Sequence, residues 1–357
     1  MIKIKKKLND ICKNITDGTH STVLDNANGN CYLLSCKNVK NGRINITKDD
    51  RRIDKDTLFL LRNRTKMEIG DVVLTTVGTI GESSVIQESF PNYEFQRSVA
   101  IIKPNPSLIL AKYLHYYLIS QSGKNQINQM IKGAAQPCLF LNDLKNILIP
   151  CLSLDSQQHI VNTIGSVDDL IEKIEEKINF LKIISTNLYS QNSEYPCTQN
   201  LSLADVCLIK TGKLNANEAD KAGSFPFFTC GTNELLINDY AFDCEAIIIA
   251  GNGEISVKHY KGKFNAYQRT YVLEPQKYFY LFLKECENNI NVLKNNSQGS
   301  VIKFITKPML EKISINLNNH SEEINEKIGQ IYNLILNYRN QISLLIKIKD
   351  ILFSKYF

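Results

Sequence analysis

Two stretches of this chain place apolar residues at alternating spacings of four and three, the pattern of a helix that presents one narrow seam. The first reads Ile160, Ile164, Val167, Ile171, Ile174, Ile178 and Leu181, then Ser185 and Leu188. The second reads Ile324, Ile328, Ile331, Ile335, Tyr338, Ile342 and Leu345, then Lys349 and Leu352. Every second-stretch position lies 164 residues after its counterpart, and Gly165 and Gly329 keep the same offset. Helices that are polar on their other faces cannot bury such a seam alone, so each needs a partner, and the obvious one is the other copy. Packing of each helix on its own globular domain is the alternative, but nine seam positions exceed what local packing requires. A helix of about 30 residues is about 45 Å long. The expected pair is a rod with a globular domain at either end.

The repeat extends beyond the helices. Leu8-Asn-Asp10-Ile-Cys12, ending at Gly18, is answered by Leu203-Ala-Asp205-Val-Cys207, ending at Gly212. Short β-like runs closed by glycine follow, Asp71 to Gly78 and Glu245 to Gly251. Phe95-Gln96-Arg97-Ser98 matches Tyr267-Gln268-Arg269-Thr270, and both lead through an apolar strand to a proline, Pro104 and Pro275. Aromatic helices around Tyr113 to Leu118 and Tyr278 to Leu283 come next, then glycine loops at Gly133 and Gly299. The polar, helix-breaking segment Ser190 to Asn200 marks a linker. The chain, 357 residues long, therefore divides into a first domain at 1–154, a central helix at 155–190, a linker at 191–200, a second domain at 201–318 and a terminal helix at 319–357.

Several function classes are excluded by what the chain lacks. No apolar run approaches the roughly 18 residues that span a bilayer, and the basic start at Lys3, Lys5, Lys6 and Lys7 runs into polar Asn9 and Asp10, so a cytoplasmic location is expected. The ten cysteines show no C-x-x-C spacing and read as reduced core residues. The five histidines (His20, His115, His159, His259, His320) have no partner at metal-ligand spacing, so no metal is expected. Gly78-Thr-Ile-Gly81 and Gly251-Asn-Gly253 follow apolar strands but continue into no phosphate-binding pattern and read as turns. No Pro-Pro pair exists, so the Asn/Asp-Pro-Pro-aromatic motif of amino-methyltransferases is missing; Asn105-Pro106-Ser107 comes nearest and lacks the aromatic. No carboxylate cluster suggests a nuclease. A catalytic role is not expected.

Charge is placed unevenly. Lys37 to Lys66 holds ten basic residues against four acidic ones, a surplus of +6 that equals the net charge of the whole chain. A smaller stripe, Lys258, Lys261, Lys263 and Arg269, is interleaved with Tyr260, Phe264 and Tyr267. Clustered cations supply phosphate contacts, and arginine also reads guanine edges. A solvated charged face is the bland alternative. The candidate DNA contacts here are Arg43, Lys48, Arg51, Arg52, Arg62, Arg64 and Arg97 in the first copy and Lys258, Lys261, Lys263 and Arg269 in the second.

The stretch Lys132-Gly-Ala-Ala-Gln-Pro137, then Leu141 to Pro150, then Asp155-Ser-Gln-Gln-His-Ile160 resembles the domain-to-helix junction of type I restriction-modification specificity subunits. Gly299 to Thr306, Leu310 to Ile315 and Glu322 to Ile324 resemble the same junction, except that Asn316-Leu-Asn-Asn319 replaces its proline-rich step. The resemblance covers essentially the whole chain. It implies an α+β fold with a pseudo-two-fold repeat, in which two mixed α/β target-recognition domains are separated by two long antiparallel coiled-coil helices. It also implies a non-catalytic subunit that reads a split DNA target. Such a subunit docks modification subunits, expected to number two and to bind S-adenosylmethionine, and restriction subunits. This chain would bind no cofactor itself. Lys132 and Gln136, with Ser300 and Lys303 in the second junction, join the candidate DNA contacts. A coiled-coil scaffold that never meets DNA, or an adenine methyltransferase with its own recognition domain, are the rival readings.

Copies that read different half-sites should share scaffold and differ at base contacts. Gln96-Arg97 and Gln268-Arg269 are therefore expected to serve structure or phosphates. The divergent segments 19–68 and 213–245 are expected to carry specificity, with Arg51 and Arg52 reading bases. Glu172, Lys173, Glu175 and Lys177, and on the other side Tyr332 and Tyr338, are expected to face partner subunits.

Overall fold

The computed structural model describes residues 4–133, 135–231, 234–295 and 304–357. Ser300 and Lys303 lie outside them. The chain forms two units, one built from residues up to Ile171 together with Leu344–Phe357, the other from Glu172–Ser343.

In the first unit an antiparallel four-stranded sheet has the order Cys12–Asp17, Val99–Pro104, Val72–Thr75, Ser83–Val85. Val72, Val73, Leu74 and Thr75 are all fully buried, so this short apolar run is covered on both faces rather than one. A second sheet pairs Cys31–Leu34 antiparallel with Arg52–Ile53 and parallel with Tyr93–Phe95. The aromatic helix Ala111–Ile119 buries Tyr113, Tyr116 and Tyr117, and each hydroxyl finds an acceptor: the Pro150 carbonyl at 2.8 Å, Asp168 at 2.7 Å and the Leu148 carbonyl at 2.9 Å. Three large rings can thus sit in a core without an unsatisfied polar atom.

The second unit repeats the order with Cys207–Thr211, Thr270–Pro275, Phe242–Ala250 and Val257–Ala266, and extends it by Phe225–Phe228 and Leu235–Ile237. Its parallel pair, Phe228 beside Ala266, matches Leu34 beside Phe95. Two further pairs also correspond: Lys5–Lys7 with Leu148–Pro150, and Gln199–Ser202 with Ser314–Leu317. The repeat read from the sequence is therefore a repeat of topology.

The two long helices span Leu154–Asn192 and Ser321–Tyr356. At 39 and 36 residues they are about 58 and 54 Å long, longer than the seam alone suggests. The first gains its opening turn because Gln157, fully buried, bonds Leu110 and the carbonyls of Leu108 and Leu152. Its last turn is held where Asn192 accepts from Ser321 at 2.7 Å. The helices pair antiparallel within each unit. Lys349 bridges to Asp168 at 2.5 Å in the first, and Lys177 lies over the Tyr338 ring at 5.7 Å in the second.

None of the eighteen seam residues is exposed. The seam also packs locally, however: Ile160 and Ile164 belong to the first unit's core, where Leu352, Phe353 and Phe357 join them. Helix pairing and domain packing act together, where the sequence posed them as alternatives. One expectation is overturned. Tyr332 offers no outward contact area, because it is 1% exposed and donates to Glu287 at 2.7 Å. No helix among the described residues is long and apolar enough to cross a membrane.

Gly18 and Gly212 occupy the same place in the two sheets. A Cβ on Gly18 would lie 2.0 Å from the Phe95 carbonyl oxygen, and one on Gly212 1.8 Å from that of Ala266. Backbone cannot yield as a flexible side chain does. Gly18→Ala and Gly212→Ala are each expected to cost about 1–3 kcal/mol or more, read as a lowered denaturant midpoint.

Candidate nucleic-acid interface

The best-defined surface feature common to both units is the turn over these glycines. In the first unit Gly18 donates to the Val99 carbonyl, Arg97 N–H to that of Thr19, and Thr76 N–H to that of Ser98, at 3.1, 3.0 and 2.9 Å. In the second, Gly212 donates to Thr270, Gln268 to Leu214 and Gly251 to Arg269, at 3.2, 3.0 and 2.9 Å. The strands that follow, Val99–Pro104 and Thr270–Pro275, are both six residues long. These bonds set the frame at 171 residues, one less than the offset of the Gln-Arg match. Gln96 is thus answered by Tyr267, Arg97 by Gln268, and Ser98 by Arg269. The expectation that the Gln-Arg pairs are equivalent is corrected. The first copy has one more residue between its glutamine and its proline, and strand pairing, not side-chain identity, decides the frame.

Beside this turn in the first unit lies a cleft of about 610 Å³, walled by His20, Gln96, Arg97, Gln136, Phe140 and Asn142 among others. Asp17, buried and also lining the cleft, accepts from Arg64 at 2.6 Å and pairs with His20 at 2.7 Å. Arg97 is exposed and has no ion-pair or side-chain hydrogen-bond partner among the described residues. Phe140 is 53% exposed, and Lys132 is held by Asp143 at 2.9 Å. Asp17, His20, Phe140 and Asn142 had no signal in the sequence, because only folding brings the segments at 17–20, 96–98 and 136–142 together.

The basic segment divides once its partners are visible. Arg62 donates to the Pro91 and Tyr93 carbonyls at 2.6 and 2.8 Å and faces buried Glu94 at 3.8 Å. Arg51 clamps the Val23 carbonyl and Asp25 at 2.5 and 2.6 Å. Lys37 pairs with Asp50 at 2.8 Å. These cations hold loops in place. Arg43 and Lys48 are exposed and Arg52 half-buried, with no acidic partner shown for Lys48 or Arg52 among the described residues. Arg52, rather than Arg51, keeps a guanidinium available.

The second stripe is not one surface. Residues along Val257–Ala266 alternate between faces. Lys258 lies over Phe228 at 5.7 Å on the side of the aromatic core, while Lys261 pairs with Glu245 at 3.0 Å on the other. Lys263 sits over Tyr240 at 4.5 Å, and Arg269 is exposed on the turn.

Burial alone would raise the Glu245 carboxyl, but His259, Tyr280 and Lys261 surround it and hold it at about 2. Asp50 is likewise held at about 2, its burial outweighed by Lys37, Asn38 and Thr47. Both groups lie below their unfolded values, so the stability they contribute is present above about pH 4 and is lost as pH falls toward 2. Glu245→Gln is expected to flatten that acid limb in pH-dependent thermal melts of the full chain. An unchanged limb would exclude Glu245 as its source.

A family model described as type I restriction modification DNA specificity domain matches residues 3–182 and 198–349. The specificity subunit of the type I restriction enzyme EcoDI of Escherichia coli is 43% identical over 139 residues, which is 37% of this chain and 31% of that protein. The EcoBI specificity subunit of the same organism is 32% identical over 129 residues, 36% of this chain and 27% of the relative. The alignments thus span about a third of these relatives' length. Among solved structures, that of the type I restriction-modification S subunit from M. genitalium is similar in fold, with a TM-score of 0.58 at 16% identity, covering 99% of this chain and 96% of that one.

Proposed function

Because this chain belongs to the type I restriction-modification DNA specificity family, we propose that it is the DNA-recognition subunit of such an enzyme. Each unit reads one half of a split target, and the long helices dock modification subunits. One observation carries the reading: the same glycine-pinned turn is built twice, with different side chains on an equivalent backbone. A protein that reads two unlike half-sites with one fold needs this arrangement, whereas a plain scaffold has no use for it. In the first unit, Lys48, Arg52 and Arg97 supply cations for phosphates and base edges.

S-adenosylmethionine belongs, in this reading, to the modification subunit, and this chain contributes no catalytic group. Among the described residues no cluster of three or more His, Cys, Asp or Glu could hold a metal ion. Restriction subunits complete the assembly where the host supplies them, in the cytoplasm with its DNA.

Methylation profiling of host DNA with and without this gene tests the reading. A split motif methylated only when the gene is present is the expected result. Gel shifts separate the rivals: a scaffold would bind modification subunits without retarding DNA, and a methyltransferase would modify DNA alone. Repeated units also imply repeated docking, so native mass spectrometry at saturation is expected to give two modification subunits per chain. A complex saturating at one would overturn that stoichiometry.

A further inference from the structure

We propose that the first residue of the repeated turn reads a base in each half-site, Arg97 a guanine in one and Gln268 an adenine in the other. The proposal rests on the DNA-recognition reading above.

The two residues occupy one backbone position. Each donates its N–H to the segment just beyond the pinned glycine, Arg97 to Thr19 and Gln268 to Leu214. Each begins the two-residue turn that leads into the six-residue strand. What differs is the side chain. A phosphate contact is the same whatever the sequence read, so a position serving phosphates would hold a cation in both copies. This one holds a cation in one copy and an amide in the other. Arginine matches guanine O6 and N7 through two parallel N–H donors, while glutamine matches adenine by accepting from N6 and donating to N7.

Both side chains are exposed, and their surroundings leave those groups available. Asp17, the carboxylate lining the same cleft as Arg97, is already engaged by Arg64 and His20, so it does not draw the Arg97 fork inward. Gln268 donates through Nε2 to Asn215 Oδ1 at 3.0 Å. That bond fixes the amide plane and leaves its oxygen and second N–H free, the pair adenine requires. Gln136 stands on the same cleft as Arg97 and offers a second amide to the neighbouring base pair.

The test uses the full chain co-expressed with a modification subunit, selecting bound duplexes from a randomised bipartite library in the presence of S-adenosylmethionine. Arg97→Gln is expected to lose the guanine preference at one position of one half-site by about tenfold or more, and to favour adenine there. Gln268→Arg should make the reverse change in the other half-site. In each case the untouched half-site, still selected, reports that the protein is folded. Arg97→Lys keeps the charge but not the fork, so it should weaken the guanine preference while the salt dependence of binding stays unchanged. The proposal is overturned if Arg97→Gln and Gln268→Arg leave both selected half-sites as they were. It is also overturned if Arg97→Gln weakens binding to all sequences alike and lowers the salt slope by about one, since that marks a phosphate contact. A wild-type complex that selects no split sequence would instead remove the DNA-recognition reading itself.

Discussion

Arg62→Ala is expected to cost the first unit about 3–5 kcal/mol, the largest stability loss of any basic residue in the Lys37–Lys66 segment. Glu94 is fully buried, and the Arg62 side chain is only 15% exposed beside it. Removing the guanidinium leaves a carboxylate in an apolar layer with Thr65, at 2.7 Å, as its remaining side-chain partner. It also leaves the Pro91 and Tyr93 carbonyls without their donor. Burial already pushes the Glu94 carboxyl upward, and Thr65 and Arg62 pull against it. Without Arg62 the folded-state value rises further above the unfolded one. The variant's deficit should then be larger at pH 8 than at pH 5, since lowering the pH favours the protonated carboxyl. Denaturant midpoints of the full chain at the two pH values check this, and adding Glu94→Gln should recover part of the loss. Equal deficits at both pH values would mean that the buried charge is not the cause.

That a residue from the densest basic segment proves to be a structural pin shows where sequence reading stopped. The heptads were legible because helix periodicity is local: nine positions at one offset declare two helices whatever surrounds them. The repeat was legible for the same reason, and the four antiparallel strands that it encodes in each unit share an order. Partners are not local. Arg62 meets Glu94 across 32 residues, Arg64 meets Asp17 across 47, and Arg51 meets Asp25 across 26, so a count of cations could not separate those facing solvent from those holding loops. Tyr332 illustrates the same limit, since its acceptor Glu287 lies on another helix 45 residues away. Gln96-Arg97 and Gln268-Arg269 share their letters but not their frame, because the distance to the following proline differs by one residue. Strand pairing, which fixes the frame, is invisible until the sheet exists.

Removing one heptad from each long helix, Glu172–Ile178 and Asn337–Ser343, is expected to shorten the unread spacer of the DNA target by about three base pairs and leave both half-sites intact. Each long helix contributes residues to both units, which is the premise of a ruler model in which helix length sets the spacing of the half-sites. The two segments face each other, because Lys177 and Tyr338, which stack at 5.7 Å, both lie within them. After the deletion Ile171 would be followed three residues on by Leu181, and Ile335 by Leu345, which preserves the alternation of the seam. Seven residues are about 10 Å of helix, and three base pairs at about 3.4 Å each span the same distance. Deleting a single residue from each helix instead would turn the seam by about 100° and is expected to abolish pairing and assembly. Methylation profiling of cells carrying each variant, with circular dichroism to confirm helix content, distinguishes the cases. A folded heptad-deletion variant that still directed methylation at the original spacing would show that the helices do not set the distance between half-sites.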